Sequence, residues 1–165
     1  MSSIKISIIA AAHNGEKRLA ATLDSIMSQT LRDFEVIMLD AASTDGTVTI
    51  MEQYLSDKRF SLHRCDDVSI SAARNLGITL AKGKYIAFAD SDVVFSKELF
   101  SGLYSSAEKE KAELCIAPMI SSDEYGEHSF SSSRALVKRK RMSCFDTDIL
   151  WNPAVTNKLF LKRSI

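Results

Sequence analysis

The sequence predicts an α/β protein with a mainly parallel β-sheet and helices on both faces. Apolar runs alternate with segments of helical periodicity over residues 1–120. The runs are nearly continuous, which is typical of strands that are buried on both faces of a sheet. Three of them end directly at polar residues. Because ligands bind at the carboxyl ends of the strands in such sheets, the sequence also predicts where a functional site lies.

Five short apolar runs predict strands, because each is bounded by polar or turn-forming residues. They are Ile4–Ala12, Phe34–Leu39, Phe60–Arg64, Tyr85–Ala89 and Leu114–Ile120. Four segments between them carry apolar residues at helical spacing, which predicts helices. These segments are Leu19–Met27, Val48–Leu55, Ser69–Ala81 and Ser96–Lys111. Gly83 follows the third helix and is expected to stop it.

The regular pattern ends after Ile120. Residues 121–134 are polar and rich in serine, and the segments 135–145 and 154–165 predict short strands or pieces of helix. Val155, Leu159 and Phe160 are apolar positions in the last segment. We expect them to lie exposed for a partner element, so that the chain self-associates through residues after about 120 or is disordered there.

The composition excludes several classes of protein. Lys and Arg together number 21, as do Asp and Glu, so no net charge attracts nucleic acid or a membrane surface. No apolar run approaches the ~18 residues of a membrane span. The three cysteines are widely spaced without a Cys-x-x-Cys pair, which argues against zinc and a disulfide framework and favours a reducing cytoplasm.

Two Asp-x-Asp patterns are candidate metal sites, although the pattern alone is weak. Asp90-Ser91-Asp92 directly follows a predicted strand. Residues i and i+2 of an extended chain point to the same side with Cα atoms roughly 6.5–7 Å apart, and paired carboxylates suit Mg²⁺ or Mn²⁺. The alternative is that Asp92 or Ser96 caps the next helix. Asp146-Thr147-Asp148 follows no clean strand and is expected to be a turn or a cap.

Several stretches together resemble the family 2 glycosyltransferases, which have the Rossmann-like GT-A fold. The stretches are "ISIIAAAHN", "FEVIMLDAASTDGT", "SISAARNLGITLAKGKYIAFADSD" and "NKLFLKRS". The resemblance runs from about Ile4 to Ile165. It implies an inverting enzyme that moves a sugar from a nucleotide diphosphate donor to an acceptor hydroxyl. The expected setting is the synthesis of polysaccharide, lipopolysaccharide or another cell-surface glycan.

The resemblance also implies roles for individual residues. The nucleotide-binding positions are Ala11, Ala12, His13, Asn14, Asp40, Arg74, Asp90 and Ser91. Asp92, with Asp90, would bind the Mn²⁺ or Mg²⁺ ion that bridges the diphosphate. For three of these residues a purely structural role stays open instead of nucleotide binding. Arg74 would form a surface salt bridge, Asp40 would cap the "STDGT" turn, and His13 would make a local hydrogen bond.

The sequence departs from the family pattern in three places. Ala41 stands where a second acid is frequent, and Ala11 where a proline is common. The family's general base, usually in a Glu-Asp pair, is expected beyond Ile165. Residues 1–120 are therefore expected to form the donor-binding core, and residues 121–165 the start of a truncated acceptor-side region. The alternative function is an inactive nucleotide-sugar-binding fragment that lacks the base.

Two other readings compete with this one. A nucleotidyltransferase expects a glycine-rich basic loop after the first strand, and "AAAHNGEKRLA" holds one glycine. The basic run Lys138–Arg141 favours a solvated face, or else a dock for an anionic or lipid-linked acceptor. The expected partners are a nucleotide diphosphate sugar and a glycan or lipid-linked acceptor, without nucleic acid. The expected location is the cytoplasm, with a peripheral contact to the inner face of the membrane as an option. Homo-oligomer formation is a further option.

Overall fold

A computed structural model describes residues 3–66, 68–117, 119–123, 126–130 and 158–165. Side chains are described for residues 3–66, 68–117 and 158–165. The strands are β1 (Ile6–Ala12), β2 (Phe34–Ala41), β3 (Phe60–Cys65), β4 (Tyr85–Asp90), β5 (Leu114–Ile116), β6 (Met119–Asp123), β7 (Gly126–Phe130) and β8 (Lys158–Leu161). The α-helices are α1 (Leu19–Met27), α2 (Thr47–Gln53), α3 (Ile70–Leu80) and α4 (Leu99–Glu110), with 3₁₀ turns at Tyr54–Ser56 and Lys162–Ser164.

Six strands form one mixed sheet in the order β3-β2-β1-β4-β8-β5. The pairs β2–β3, β1–β2 and β1–β4 are parallel, whereas β8 is antiparallel to both of its neighbours. β6 and β7 form a separate antiparallel pair. The single strand predicted over Leu114–Ile120 is therefore two strands, β5 in the main sheet and β6 in the two-stranded sheet. The backbone leaves the main sheet after Ile116.

Helices cover both faces of the main sheet, as the apolar runs predict. Successive side chains of a strand alternate between the faces. In β1, Ile6 and Ile8 therefore pack with α1, α2 and α4 in one core. Ile9 and Ala11 pack with α3 in a second core on the opposite face. The prediction of a Rossmann-like α/β fold with a mainly parallel sheet is confirmed.

Helix α3 lies so close to the sheet that its inward positions must be small. Ala73 and Gly77 are fully buried against β1 and β2, whereas Leu76 is 38% exposed. A Cβ atom at Gly77 would lie 2.5 Å from Ile9 Cγ2. The helix begins after Ser69, whose hydroxyl accepts a hydrogen bond from the Ala72 amide at 3.2 Å. Gly77, and not Leu76, is therefore an inward residue of α3.

Gly83 has a different role from the expected one. Helix α3 ends at Leu80, and Ala81 already leaves it with an extended backbone. A Cβ atom at Gly83 would lie 2.5 Å from the backbone nitrogen of Ser7. The Gly83 amide donates to the Ser7 hydroxyl at 2.8 Å. Gly83 is thus required by its close approach to β1, and the expectation that it stops the helix is wrong.

The last described strand lies inside the sheet. Leu159 pairs with Ala87 of β4 and Cys115 of β5, and its side chain is fully buried. Phe160 packs edge-on against Phe88 at 5.9 Å between ring centroids. The expectation that Leu159 and Phe160 wait for a partner element is therefore wrong, because the neighbours are strands of the same chain. Val155 lies outside the described residues.

Some predictions fall on parts of the chain that the structure does not describe. They concern the pair Asp146/Asp148, the basic run Lys138–Arg141 and Cys144. The division at residue 120 also stays a prediction, although β8 joins the sheet that residues 6–116 build. Within the described ranges, no helix is long and apolar enough to cross a membrane.

Candidate functional site

Two carboxylates flank the end of the central strand. The parallel register sets Ala12 of β1 beside Asp40 of β2, and Ala11 of β1 beside Asp90 of β4. Because the strands run in the same direction, the polar residues that follow them meet at one edge of the sheet. The sequence predicts this edge as the functional site, and the register brings its residues together.

The loops after β1 and β2 are joined by a set of hydrogen bonds. The Asn14 amide donates to Ser43 Oγ at 3.0 Å, and Asn14 Oδ1 accepts from the Thr44 amide at 2.8 Å. Asn14 and Ala42 both have a φ of 52°. Asn tolerates this left-handed conformation, whereas at Ala42 it is strained. The two loops therefore form a rigid, preshaped rim beside β1.

His13 has both ring nitrogens engaged within this rim. Its Nδ1 lies 2.6 Å from the Ala41 carbonyl, and its Nε2 lies 3.1 Å from Asn14 Nδ2. A carbonyl oxygen only accepts, so these partners assign the proton to Nδ1. Nε2 then accepts from the Asn14 side chain. His13 thus holds the loop by local hydrogen bonds, which is the structural role considered for it from the sequence. Its role in nucleotide binding stays a prediction.

Sequence reasoning missed a second layer of loop residues. The Gly15 amide donates to Thr47 Oγ1 at 2.8 Å, and the Glu16 amide donates to Asp45 Oδ2 at 3.2 Å. The Thr47 hydroxyl donates to the Asp45 carboxylate, which holds the pKa of Asp45 below its ordinary value. The "STDGT" composition signals the turn. Partners about 30 residues away leave no local signal.

Asp40 is buried and contacts its own turn. Its side chain is 4% exposed, and both carboxylate oxygens lie near the Ser43 amide, at 3.3 and 3.4 Å. Asp40 therefore caps its own turn, as the structural alternative predicts, although its hydrogen bonds to the Ser43 amide are long. Such bonds are weaker than those near 2.9 Å, so they do not saturate the carboxylate. Whether Asp40 also binds a nucleotide stays a prediction.

Arg74 and Asp90 form an ion pair across the same edge. Arg74 Nη2 donates to Asp90 Oδ1, and the side chains are 26% and 37% exposed. The guanidinium also lies 6.0 Å from the centre of the Phe88 ring. Helix α3 thus delivers a cation to the end of β4. Arg74 therefore forms a salt bridge, as the structural alternative predicts. Its partner Asp90 is itself a candidate site residue.

Asp92 is the more open member of the Asp-x-Asp pair. Its side chain is 55% exposed, and its nearest cation is Arg18 Nη1 at 3.8 Å. Helix α4 begins at Leu99 without a side-chain cap, so neither Asp92 nor Ser96 caps it. Ser91 lies beneath the first loop, because a Cβ atom at Gly15 would be 3.0 Å from Ser91 Cβ. The capping alternative is therefore wrong for Asp92.

A mainly parallel sheet with helices on both faces and carboxylates at its carboxyl edge defines an α/β domain of the GT-A type. The fold of S. aureus TarS, solved in complex with UDP-GlcNAc, matches it with a TM-score of 0.78 over 96% of this chain and 45% of TarS, at 22% identity. The mannosyltransferase PcManGT of Pyrobaculum calidifontis, solved with GDP-Man and Mn²⁺, matches with a TM-score of 0.63 over 69% of this chain and 35% of that protein, at 19% identity.

The chain belongs to glycosyl transferase family 2, whose family model matches residues 7–165. One relative is the Escherichia coli enzyme WfaP, a UDP-Glc:alpha-D-GlcNAc-diphosphoundecaprenol beta-1,3-glucosyltransferase. It is 38% identical over 87 residues, which are 53% of this chain and 35% of WfaP. The chain spans between 16% and 40% of the length of the curated relatives it matches. The resemblance stated from the sequence is thus confirmed.

Proposed function

We propose that the chain is the donor-binding part of an inverting glycosyltransferase that takes its sugar from a nucleoside diphosphate. The observation that carries the proposal is the meeting of Asp40, Asp90 and Asp92 at the carboxyl edge of the sheet. The family membership and the nucleotide-sugar complexes of TarS and PcManGT support it.

The donor is expected to lie across the end of β1. The preshaped rim formed by His13, Asn14 and the loop after β2 would line the nucleobase and ribose beside Asp40. Ser91 and Asp90 lie on the other side of β1, where Arg74 supplies positive charge for the diphosphate. Ala11 and Ala12 are buried and small, so they contribute backbone and space.

The carboxylates fit a divalent cation such as Mn²⁺ or Mg²⁺. Mg²⁺ usually keeps several waters and binds through one or two carboxylates plus substrate phosphates. Asp92 is open for this purpose, with Asp90 two residues before it. Among the described residues no group of three or more His, Cys, Asp or Glu is placed to hold a metal. A two-carboxylate site completed by phosphate requires no such group.

Asp92, assisted by Asp90, would hold the cation, which when bound stabilises the growing negative charge of the nucleoside diphosphate as a Lewis acid. The acceptor hydroxyl oxygen attacks the anomeric carbon from the opposite face while the bond to the diphosphate breaks. A base must take the hydroxyl proton in that step. We place this base in the part of the family that follows the segment matching residues 157–164.

The acceptor is proposed to be a glycan or a lipid-linked sugar, as the printed name of WfaP illustrates for that enzyme. Because a lipid-linked acceptor is held in a membrane, we propose a cytoplasmic location at the inner face of the membrane. The second candidate function is nucleotide-sugar binding without turnover. This second function is considered for these 165 residues alone, because they span less than half of the length of the relatives compared.

The test is calorimetric binding of UDP and GDP with and without Mn²⁺. Asp92→Asn is expected to weaken Mn²⁺-dependent binding by tenfold or more, which is about 1.4 kcal/mol. Asp33→Asn is the matched control, because Asp33 pairs with Lys5 at the opposite edge of the sheet, and Asp148→Asn is expected to be equally silent. Nucleotide affinity that does not change with Mn²⁺ in the wild-type protein would reject the metal site.

A further inference from the structure

A row of buried polar side chains on α1 faces the segment that follows Asp90-Ser91-Asp92. Thr22 and Ser25 lie one turn apart on α1, and Gln29 follows shortly after the helix ends. These three residues, the polar row, are 1%, 8% and 0% exposed. Residues of these types are mostly exposed in folded proteins, and buried polar groups are hydrogen-bonded. The partners of the row therefore show which part of the chain it holds.

Ser25 connects α1 to the backbone just after the acidic pair. Its hydroxyl donates to the Thr22 carbonyl at 2.7 Å and accepts from the Phe95 amide at 3.1 Å. Phe95 comes three residues after Asp92 and is buried, with its ring centroid 5.3 Å from that of Phe100. The hydrogen bond from Phe95 to Ser25 therefore fixes the chain at the first buried residue that follows the two carboxylates.

Gln29 extends this attachment as far as α4. Its Nε2 donates to the Ser96 carbonyl at 2.7 Å, and its Oε1 accepts from the Phe100 amide at 3.2 Å. Glu98, at the N-cap of α4, makes no capping bond with its own side chain. Gln29 thus satisfies one of the amides that a helix leaves free at its start. Because residues 91–98 contain neither helix nor strand, side chains of the row replace the missing backbone ladder.

Thr22 reaches the acidic pair itself. Its hydroxyl lies 3.5 Å from the Asp90 carbonyl, which also accepts from the Val93 amide at 3.3 Å. Asp92 stands between this carbonyl and the Phe95 amide, so the backbone on both sides of it is attached to α1. The Asp92 side chain is 55% exposed. The position of its carboxylate therefore depends on the backbone that carries it.

We propose that Ser25 is a positioning residue, which together with Thr22 and Gln29 holds the backbone of Asp92 so that its carboxylate is in place for the divalent cation. The inference rests on the proposed function of Asp92 in metal-dependent donor binding. A ligand group must be held within about 0.5 Å of its productive geometry by the residues that support it. The alternative is that the row only stabilises the fold, which predicts no effect on the cation.

Ser7 offers a matched control at the opposite edge of the sheet. It is fully buried, and its hydroxyl accepts from the Gly83 amide at 2.8 Å. Ser7 is the second residue of β1, whereas the candidate site lies at the other end of that strand. Ser25→Ala and Ser7→Ala each leave a backbone amide without its partner, so both changes should destabilise the fold. Only the change at Ser25 should affect the cation.

The first experiment measures by calorimetry how much Mn²⁺ strengthens the binding of UDP and of GDP to the 165-residue chain. Ser25→Ala is expected to reduce this strengthening by about tenfold or more, as the loss of supporting residues does at metal sites. The affinity for the nucleotide without metal should not change. Ser7→Ala is expected to leave both affinities as they are. An unchanged effect of Mn²⁺ in Ser25→Ala, or an equal loss in Ser7→Ala, would overturn the proposal.

The second experiment uses no ligand and separates this inference from the proposed function. Amide hydrogen exchange, read by mass spectrometry, reports local opening of the backbone. Ser25→Ala is expected to speed exchange about tenfold in peptides that contain Phe95, whereas Ser7→Ala should do so only around Gly83. Unchanged exchange at Phe95 would overturn the inference even if nucleotide binds. Faster exchange there in a chain whose wild-type form binds no nucleotide would leave the attachment standing, but overturn the proposed function and with it the role of Ser25.

Thr22→Val is the second variant, for the case that Ser25→Ala does not fold. Valine keeps the shape of threonine and removes only the hydroxyl near the Asp90 carbonyl. Because this hydrogen bond is long, we expect a smaller loss of the Mn²⁺ effect, about threefold, with unchanged affinity for the metal-free nucleotide. A Thr22→Val protein with the full Mn²⁺ effect would count against the proposal in the same way.

Discussion

At the scale of single residues, three polar side chains at the site edge have partners from other parts of the chain. Asp90 is held by Arg74, Asp92 faces Arg18, and His13 bridges two loops. The carboxylates therefore have defined positions before a ligand arrives. Preorganised groups lose less freedom on binding, so the arrangement suits the proposed donor binding.

Asp40 gives the first prediction at this scale. A nucleoside diphosphate that binds the folded chain raises the melting temperature by mass action. Asp40→Ala is expected to abolish most of that rise, since the buried carboxylate borders the predicted nucleobase pocket. Asp57→Ala is the control, because Asp57 pairs with Arg59 in the turn before β3. If Asp40→Ala protein gains as much from the nucleotide as wild type, Asp40 is only a turn cap.

Asp57 itself predicts a pH dependence of stability. Hydrogen bonds from Arg59 hold the pKa of Asp57 below its ordinary value of 3.8. A carboxyl whose pKa is lower in the folded state stabilises the fold above its unfolded pKa and loses this contribution as pH falls through the folded pKa. The free energy of unfolding, measured in urea from pH 5 to pH 2, should fall less steeply for Asp57→Asn than for wild type. Parallel curves for the two proteins would contradict the assignment.

At the scale of elements, the closeness of α3 to the sheet is what brings Arg74 to Asp90. The helix approaches through Ala73 and Gly77, which are buried against the strands. A larger residue would move the helix outward, and with it the Arg74 guanidinium. The packing of one helix thus controls the charge distribution at the site.

A pair of glycine substitutions tests this closeness. Gly77→Ala is expected to destabilise the fold by about 1–3 kcal/mol, as overpacked cores do, because the new Cβ would lie 2.5 Å from Ile9 Cγ2. Gly102→Ala in α4 is the matched control. No atom lies within 4 Å of its added Cβ, so the higher helix propensity of alanine should stabilise by up to about 1 kcal/mol. Urea unfolding measures both, and equal signs would refute the packing argument.

At the scale of the whole molecule, the main sheet is completed by a distant segment. β8 joins from residues 158–161 and separates β4 from β5. Residues 7–165, which the family model matches, therefore include both the candidate site edge and the strand β8. The chain still spans 40% or less of the curated relatives it matches, and the catalytic base is proposed to lie in the remainder.

The last prediction concerns that remainder. A version extended past Ile165 is expected to transfer sugar roughly 10²–10⁴ times faster than the 165-residue chain, because general-base catalysis contributes about that much. Single-turnover transfer with the same donor and acceptor measures the difference. The two versions should bind the nucleotide equally well, which serves as the internal control. Equal transfer rates would place the base within these 165 residues.

The fold class, and the sheet edge at which the candidate site residues meet, were predictable from the sequence alone. Strand and helix periodicities are local properties, so Tyr85–Ala89 and Ser69–Ala81 were recognisable without any knowledge of their neighbours. The ends of the strands at His13, Asp40 and Asp90 followed from the same runs. Their meeting at one edge needed only the rule that strands joined by helices run parallel.

The tertiary structure decided which residues those ends meet. Nothing in a short apolar run around Leu159 tells a central strand from an exposed segment, because its pairing partners Cys115 and Ala87, 44 and 72 residues away, carry no local signal. For the same reason the sequence did not reveal that Arg18 faces Asp92 or that Asp45 binds the first loop. Register and close packing fix these contacts, and both arise only when the sheet assembles.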